Sequence, residues 1–214
     1  MDSGSGSKSK DFTLHHYTKT IFDKEREFNH PFPLHDYFAP MIGDKKEVKI
    51  ADLGAGMFST TGNLKEGIMV KVYPSDVLAD EYNQILKEFS IVPIIPIEKQ
   101  EMESLTYPDE FFDIVHSVNA LDHCLNPHKA LKEMYRVCKS GGWIYLRHHF
   151  NTAKLQKKRG MHKWNITMTI NRDCIFWGDL GCFLLSDCIP GFVNVPKKEL
   201  AYERNDMIVS KLKK

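Results

Sequence analysis

Chemistry in this chain is concentrated in four short stretches. The first is Asp52-Leu53-Gly54-Ala55-Gly56. Glycines there let the main chain approach a ligand closely. Dinucleotide sites use G-x-G-x-x-G, with pyrophosphate over a helix N-terminus. Here Ser59 stands at the third glycine position, and Asp52 would repel a pyrophosphate. A carboxylate at that point suits a cationic ligand, or one carrying an amino group. The second stretch centres on Asp76, about 20 residues further on, the expected place for an acid that accepts hydrogen bonds from both ribose hydroxyls. Together the two point to a nucleoside with a positive group. Taken singly, each is also compatible with an ordinary strand-to-helix turn and a surface aspartate.

The third and fourth stretches carry histidine, whose pKa near neutrality suits a base for an oxygen nucleophile. Ser117-Val118-Asn119-Ala120-Leu121-Asp122-His123 offers His123 as the first choice of base, with Asp122 as its orienter or as a substrate ligand. The alternative is that His123 packs at the start of a helix and Asp122 caps it. His148-His149-Phe150-Asn151 offers a second base. Strand alternation puts the two histidines on opposite faces, and His149 is nearer the strand end. Downstream, Asn151, His162 and Trp164 could line a polar pocket, the indole stacking on a sugar or nucleotide portion of an acceptor; a surface loop with one buried tryptophan explains the same residues. Tyr17, with His15 and His16, lies in an aromatic N-terminal segment that would either cover such a site or simply pack on the sheet.

These residues need strand ends to hold them. Val48–Leu53, Ile68–Tyr73, Ile91–Ile97, Phe111–Val118 and Trp143–Leu146 read as buried strands, and the prolines of the third place it at a sheet edge. Val77–Phe89 has helical spacing. Pro127–Val137 reads as an amphipathic helix with Ala130, Met134 and Val137 on one face, stopped by Gly141-Gly142. Residues 58–66 read as a turn and a helix of uncertain length. Such alternation predicts an α/β fold with a doubly wound, parallel sheet. After residue 150 it stops: Cys174–Trp177 and Cys182–Leu185 read as a hairpin, and Phe192–Val195 and Met207–Leu212 as closing strands. Residues 1–10 read as a disordered leader or tag, 11–45 as a helical lid or appendage holding one or two short helices, and 46–214 as the ligand-binding domain.

Composition sets the bounds. The 214 residues are 42% hydrophobic and 27% charged, with a net charge of +1, so disorder, a coiled coil and a general electrostatic case for nucleic acid are all disfavoured. No apolar run approaches a membrane span. Five cysteines without a C-x-x-C pair or a secretory leader suggest a reducing, cytoplasmic compartment, and their spacing gives no zinc motif; no metal is expected.

From about Val48 to His149 the chain resembles the class I S-adenosylmethionine-dependent methyltransferases. Asp52-Leu53-Gly54-Ala55-Gly56 resembles that family's D/E-x-G-x-G motif, although Met57 and Phe58 stand where a further small residue is usual. Asp76 matches its ribose acid. The stretch from Leu105 to Asp113 resembles L-P-F-P-D-x-S-F-D, and the one from Arg136 to Gly142 resembles R-V-L-K-P-G-G. The resemblance implies a Rossmann-like, seven-stranded sheet with helices on both faces and its last strand antiparallel. It implies S-adenosyl-L-methionine as cofactor, held by Asp52, Gly54, Ala55, Gly56, Asp76, Glu101, Met102 and Ser117. Glu101-Met102 replaces the usual Asp-Ala beside the adenine. The loop after Ser117 is not N-P-P-Y, which disfavours methylation of a nucleic-acid base. His148-His149-x-Asn151 and His162-x-Trp164-Asn165 are similar to a pattern in bacterial methyltransferases of surface-sugar precursors. The expected reaction is methyl transfer to a small polar acceptor, through oxygen rather than nitrogen or carbon. A donor-binding subunit without catalysis, or a nicotinamide-dependent oxidoreductase, are the competing expectations.

Overall fold

The structure, a computed structural model, describes residues 3–158, 161–170, 173–189, 197–199 and 207–214. In chain order come α1 (Ser3–Phe28), α2 (Ala39–Ile42), β1 (Glu47–Leu53), β2 (Met69–Asp76), α3 (Ala79–Glu88), β3 (Glu98–Lys99), β4 (Phe112–Val118), α4 (Pro127–Val137) and β5 (Cys138–His149). Then follow α5 (Thr152–Leu155), β6 (Asn165–Met168), β7 (Cys174–Gly178), β8 (Gly181–Leu184), β9 (Lys197–Glu199) and β10 (Met207–Lys213). One sheet has the order β3-β2-β1-β4-β5-β10-β9. Its pairings from β3 to β5 are parallel, and β10 runs antiparallel to β5 and to β9. Strand order reverses between β1 and β4, which opens a crevice at their carboxyl ends.

Burial explains why the central strands are almost wholly apolar. Every residue of β4 but the last is buried, as a strand covered on both faces requires. On one face Leu53, Val115 and Leu146 meet Leu131 and Met134 of α4. That helix starts with Pro127, and the Asn126 side chain accepts a hydrogen bond from the Lys129 N–H at 3.0 Å. On the other face Val48, Ile50, Ile114, Tyr145 and Val209 are covered by Phe38, Met41 and Ile42. A third cluster joins Ile21 of α1 to Met57, Phe58, Tyr82 and Leu86, so α1 docks over the loop that follows β1. No helix among the described residues is long and apolar enough to cross a membrane.

Several local expectations are corrected. The N-terminal segment is one long helix, α1, followed by short turns, and it begins at Ser3, inside the stretch expected to be disordered; a helix, once nucleated, extends at one hydrogen bond per residue. Residues 91–97 form no strand, because Pro93 and Pro96 have no N–H to give a ladder; only Glu98–Lys99 just after them pair. No helix forms in residues 58–66. Gly141-Gly142 does not stop α4: the chain passes directly into β5 at Cys138, which is already extended. The hairpin is present as β7 and β8, and β6, which the sequence reading missed, pairs with it in a separate antiparallel sheet. Met207–Leu212 falls within β10 as expected; Phe192–Val195 lies outside the described residues.

Candidate active site

The glycine loop is built by its backbone. Gly54 and Gly56 have φ of 73° and 69°, a region that disfavours any side chain. The N–H groups of Gly54 and Ala55 donate to the Ser75 carbonyl at 2.8 and 3.0 Å, which ties the turn to β2. A Cβ at Gly54 would lie 2.3 Å from the Ala120 Cβ and 3.4 Å from the Met102 Cε; one at Gly56 would lie 2.2 Å from the Tyr17 Oη. The loop is therefore clasped by α1 on one side and by the loop after β4 on the other. Asp76 accepts from the N–H groups of Gly56 at 3.0 Å and Leu78 at 2.9 Å, one on each oxygen. About half of its lone-pair sites stay open to further donors. Burial raises its pKa, those two N–H bonds lower it, and the charges of Asp52 and Glu81 raise it further.

Asp52 serves the fold beneath this loop. It is buried, and it accepts from Ser59 Oγ at 2.7 Å and from His116 Nδ1 at 2.8 Å. His116 Nε2 lies 3.1 Å from the Tyr37 hydroxyl, and Tyr37 stacks on Tyr145 at 4.5 Å. With its Nδ1 proton on Asp52, His116 accepts the Tyr37 proton at Nε2. Burial, with the nearby Tyr145 and Asp52, raises the Tyr37 pKa and keeps the phenol protonated.

The loops after β4 and β5 gather the remaining polar groups. Leu121–His123 forms a 3-10 turn, and the main-chain N–H groups of Lys163 and Trp164 donate to the Asp122 carbonyl at 2.9 and 3.1 Å. His162 Nδ1 thereby reaches Asp122 Oδ2 at 2.6 Å and His123 Nε2 at 3.1 Å; His123 Nε2 lies 3.7 Å from Asp122 Oδ2. Burial works to raise the Asp122 pKa, but the His162 hydrogen bond and the charges of His123, His162 and His148 outweigh it, and the result is lowered. Burial lowers His123, against the pull of Asp122. It drives His148 down to about 4 and also lowers His149. Five side chains at these strand ends hold buried polar atoms with no hydrogen-bond partner: Ser117 Oγ, Arg147 Nε, both ring nitrogens of His148, His149 Nδ1 and Asn151 Oδ1. Buried polar groups are costly unless paired, so such a concentration points to a place where a ligand completes the bonding.

Residues 51–146 match the family model of a methyltransferase domain. Over these residues the chain is similar to methyltransferase domains. It is 31% identical over 105 residues to the ubiquinone/menaquinone biosynthesis C-methyltransferase UbiE of Pectobacterium carotovorum, a match covering 49% of this chain and 34% of that protein. It is also 31% identical over 109 residues to an uncharacterized methyltransferase of Schizosaccharomyces pombe, covering 47% and 39%. The matches thus span well under half the length of these curated relatives. A chain from the complex of the Haloferax volcanii Trm112 methyltransferase activator with a methyltransferase aligns over 96% of both chains at a TM-score of 0.58 and 13% identity. A Listeria monocytogenes methyltransferase dependent on S-adenosylmethionine aligns over 83% of this chain and 96% of its own, with a TM-score of 0.53 and 15% identity. At such identities these structures speak for the fold.

The methyltransferase domain fits the cofactor S-adenosylmethionine through the Gly54-Ala55-Gly56 cradle, the half-open Asp76 carboxylate and the unpartnered Ser117 hydroxyl. Met102 flanks Gly54, whereas Glu101 is exposed. Asp52 lies buried beneath the loop, with Ser59 on one of its oxygens and His116 on the other. Tyr17 meets the glycine loop, not the acceptor end, with its hydroxyl against Gly56. Trp164 is no stacking platform: it is 4% exposed, and its indole N–H donates to the Cys124 carbonyl at 3.0 Å. Asp122, His123 and His162 meet, although some 40 residues separate them in the chain. His149 and Asn151 stand at the end of β5, as expected. Sequence reasoning missed Asn119, whose φ of 51° lets its side chain accept from the His149 N–H at 3.0 Å and join the two strand ends.

Proposed function

We propose that the domain transfers a methyl group from S-adenosylmethionine to an oxygen of a small polar acceptor. One observation carries this reading: unpartnered histidine nitrogens beside a buried carboxylate occupy the same sheet edge as the glycine loop, joined to it where Ala120 closes on Gly54. When bound, the donor supplies a methyl group already activated on a sulfonium, so the protein need only align the acceptor, exclude water and take one proton. Gly54, Ala55, Gly56, Asp76, Met102 and Ser117 hold the donor, and α1 covers it through Tyr17. His149 is the better-placed base. Its Nδ1 is free of partners, and its lowered pKa leaves it neutral at physiological pH, whereas His123 Nε2 faces His162. Asn119 fixes the main chain that carries His149.

The UbiE relative is named for C-methyl transfer, so the test must separate acceptor atoms. Purified protein is incubated with methyl-labelled donor and a panel of hydroxylated, amino and carbon-nucleophile acceptors, and products are read by mass spectrometry. The reading expects O-methylated product, with His149→Gln lowering kcat by about 100-fold or more and leaving donor binding within twofold. Products methylated only at nitrogen or carbon, or donor binding with no product from any acceptor, would overturn it.

A further inference from the structure

We infer that Asp122, His123 and His162 form a site for a divalent d-block cation of the zinc class. Their candidate ligand atoms (Asp122 Oδ2, His123 Nε2 and His162 Nδ1) stand 2.6, 3.1 and 3.7 Å from one another. Metal bonds of about 2.0 Å in tetrahedral geometry place ligand atoms about 3.3 Å apart, so the three need move by well under an ångström to hold one ion. Two imidazoles, which are borderline ligands, joined by one hard carboxylate suit zinc, cobalt or iron better than calcium or magnesium.

The cluster is built rather than accidental. Asp122 is 3% exposed, and its main-chain carbonyl anchors residues 163 and 164, which delivers His162 to it. The Lys163 ammonium donates to the His123 carbonyl at 3.0 Å. An independent observation comes from His148. It is buried, both its ring nitrogens lack partners, and the charges of Asp122 and His123 act on it. Three protein ligands leave a coordination position open, as in sites that bind a substrate oxygen. Use of that position for an acceptor oxygen rests on the methyl-transfer reading; cation binding does not.

Chelator-treated full-length protein titrated with Co²⁺ tests this by visible absorption, with Zn²⁺ calorimetry alongside. The expected result is one equivalent bound, with tetrahedral d–d bands. Asp122→Asn and His162→Gln should each weaken binding by more than roughly 100-fold, since loss of a ligand costs more than the 10–100-fold caused by loss of an outer hydrogen-bond partner. His162→Asp, which keeps a ligand oxygen, should recover most of it. S-adenosylmethionine calorimetry on each variant reports that the fold and the donor loop are intact, and it reads the methyltransferase proposal separately. Sub-stoichiometric uptake, unchanged affinity in both variants that bind donor normally, or thiolate charge-transfer bands that vanish in Cys182→Ser would each overturn the site.

Discussion

Asp76 shows how much one side chain owes to its neighbours. Two N–H groups take one lone pair on each of its oxygens, so removing the carboxylate deprives the loop of an anchor and, on the proposed reading, the donor of an acceptor. Asp76→Ala should weaken S-adenosylmethionine binding by about 1–3 kcal/mol, or roughly 5- to 160-fold, read by calorimetry. His148 makes a prediction about pH. Its pKa falls from 6.5 to about 4 on folding, because burial disfavours the charged ring. The unfolded chain therefore binds the proton more readily than the native one, and stability rises with pH between those values. The contribution is fully present above about pH 6.5 and lost as pH falls toward 4, at most about 3.4 kcal/mol. Urea unfolding of chelator-treated protein across that range should show the slope, and His148→Leu should flatten it. The sequence made these residues visible as candidates by type and by place at strand ends. It could not show that Trp164 is spent in the core, because burial there depends on bringing Phe183 of β8 and the Cys124 carbonyl of the loop after β4 to the indole.

At the scale of elements, α1 and the glycine loop are one mechanical unit. Ile21 sits among Met57, Phe58 and Tyr82, and the Tyr17 ring lies 4.9 Å from that of Tyr82. Gly56→Ala forces a side chain into the left-handed region, at about 1–2 kcal/mol, and against the Tyr17 hydroxyl. The expected outcome is faster chymotryptic cleavage within α1 at unchanged protein concentration; wild-type cleavage kinetics would show that α1 is held elsewhere. Elements with a strong local signal were legible: α4 has an N-cap, an N-terminal proline and a clean apolar stripe, and its bounds match the reading. Weak ones were not. Ile91–Ile97 has the composition of a strand, but two prolines cannot donate to a ladder, and only the two residues after it pair. The length of α1 was equally hidden, since its first residues are Gly and Ser and much of its anchoring comes from contacts with Met57 and Tyr82.

For the whole molecule, the sheet order puts the glycine loop and the histidine loops on one edge, so ligand binding couples to the stability of the entire domain. Donor at 100 times its Kd should add about 2.7 kcal/mol, which for a domain of this size is roughly 5–10 °C in Tm by calorimetry. Asp76→Ala should show a smaller shift at the same donor concentration. The sequence by itself determined the α/β class, the parallel core from Val48 to Leu146 and the glycine–acid signature of the donor loop, because strand burial, helix periodicity and tight turns are written in neighbouring residues. Only the tertiary structure decided that Asp122, His123 and His162 meet, that Asp52 is held by His116 beneath the loop and that Tyr17 rests on Gly56. Those contacts join residues about 40, 64 and 39 positions apart, and their formation depends on loop closures whose geometry no local pattern encodes.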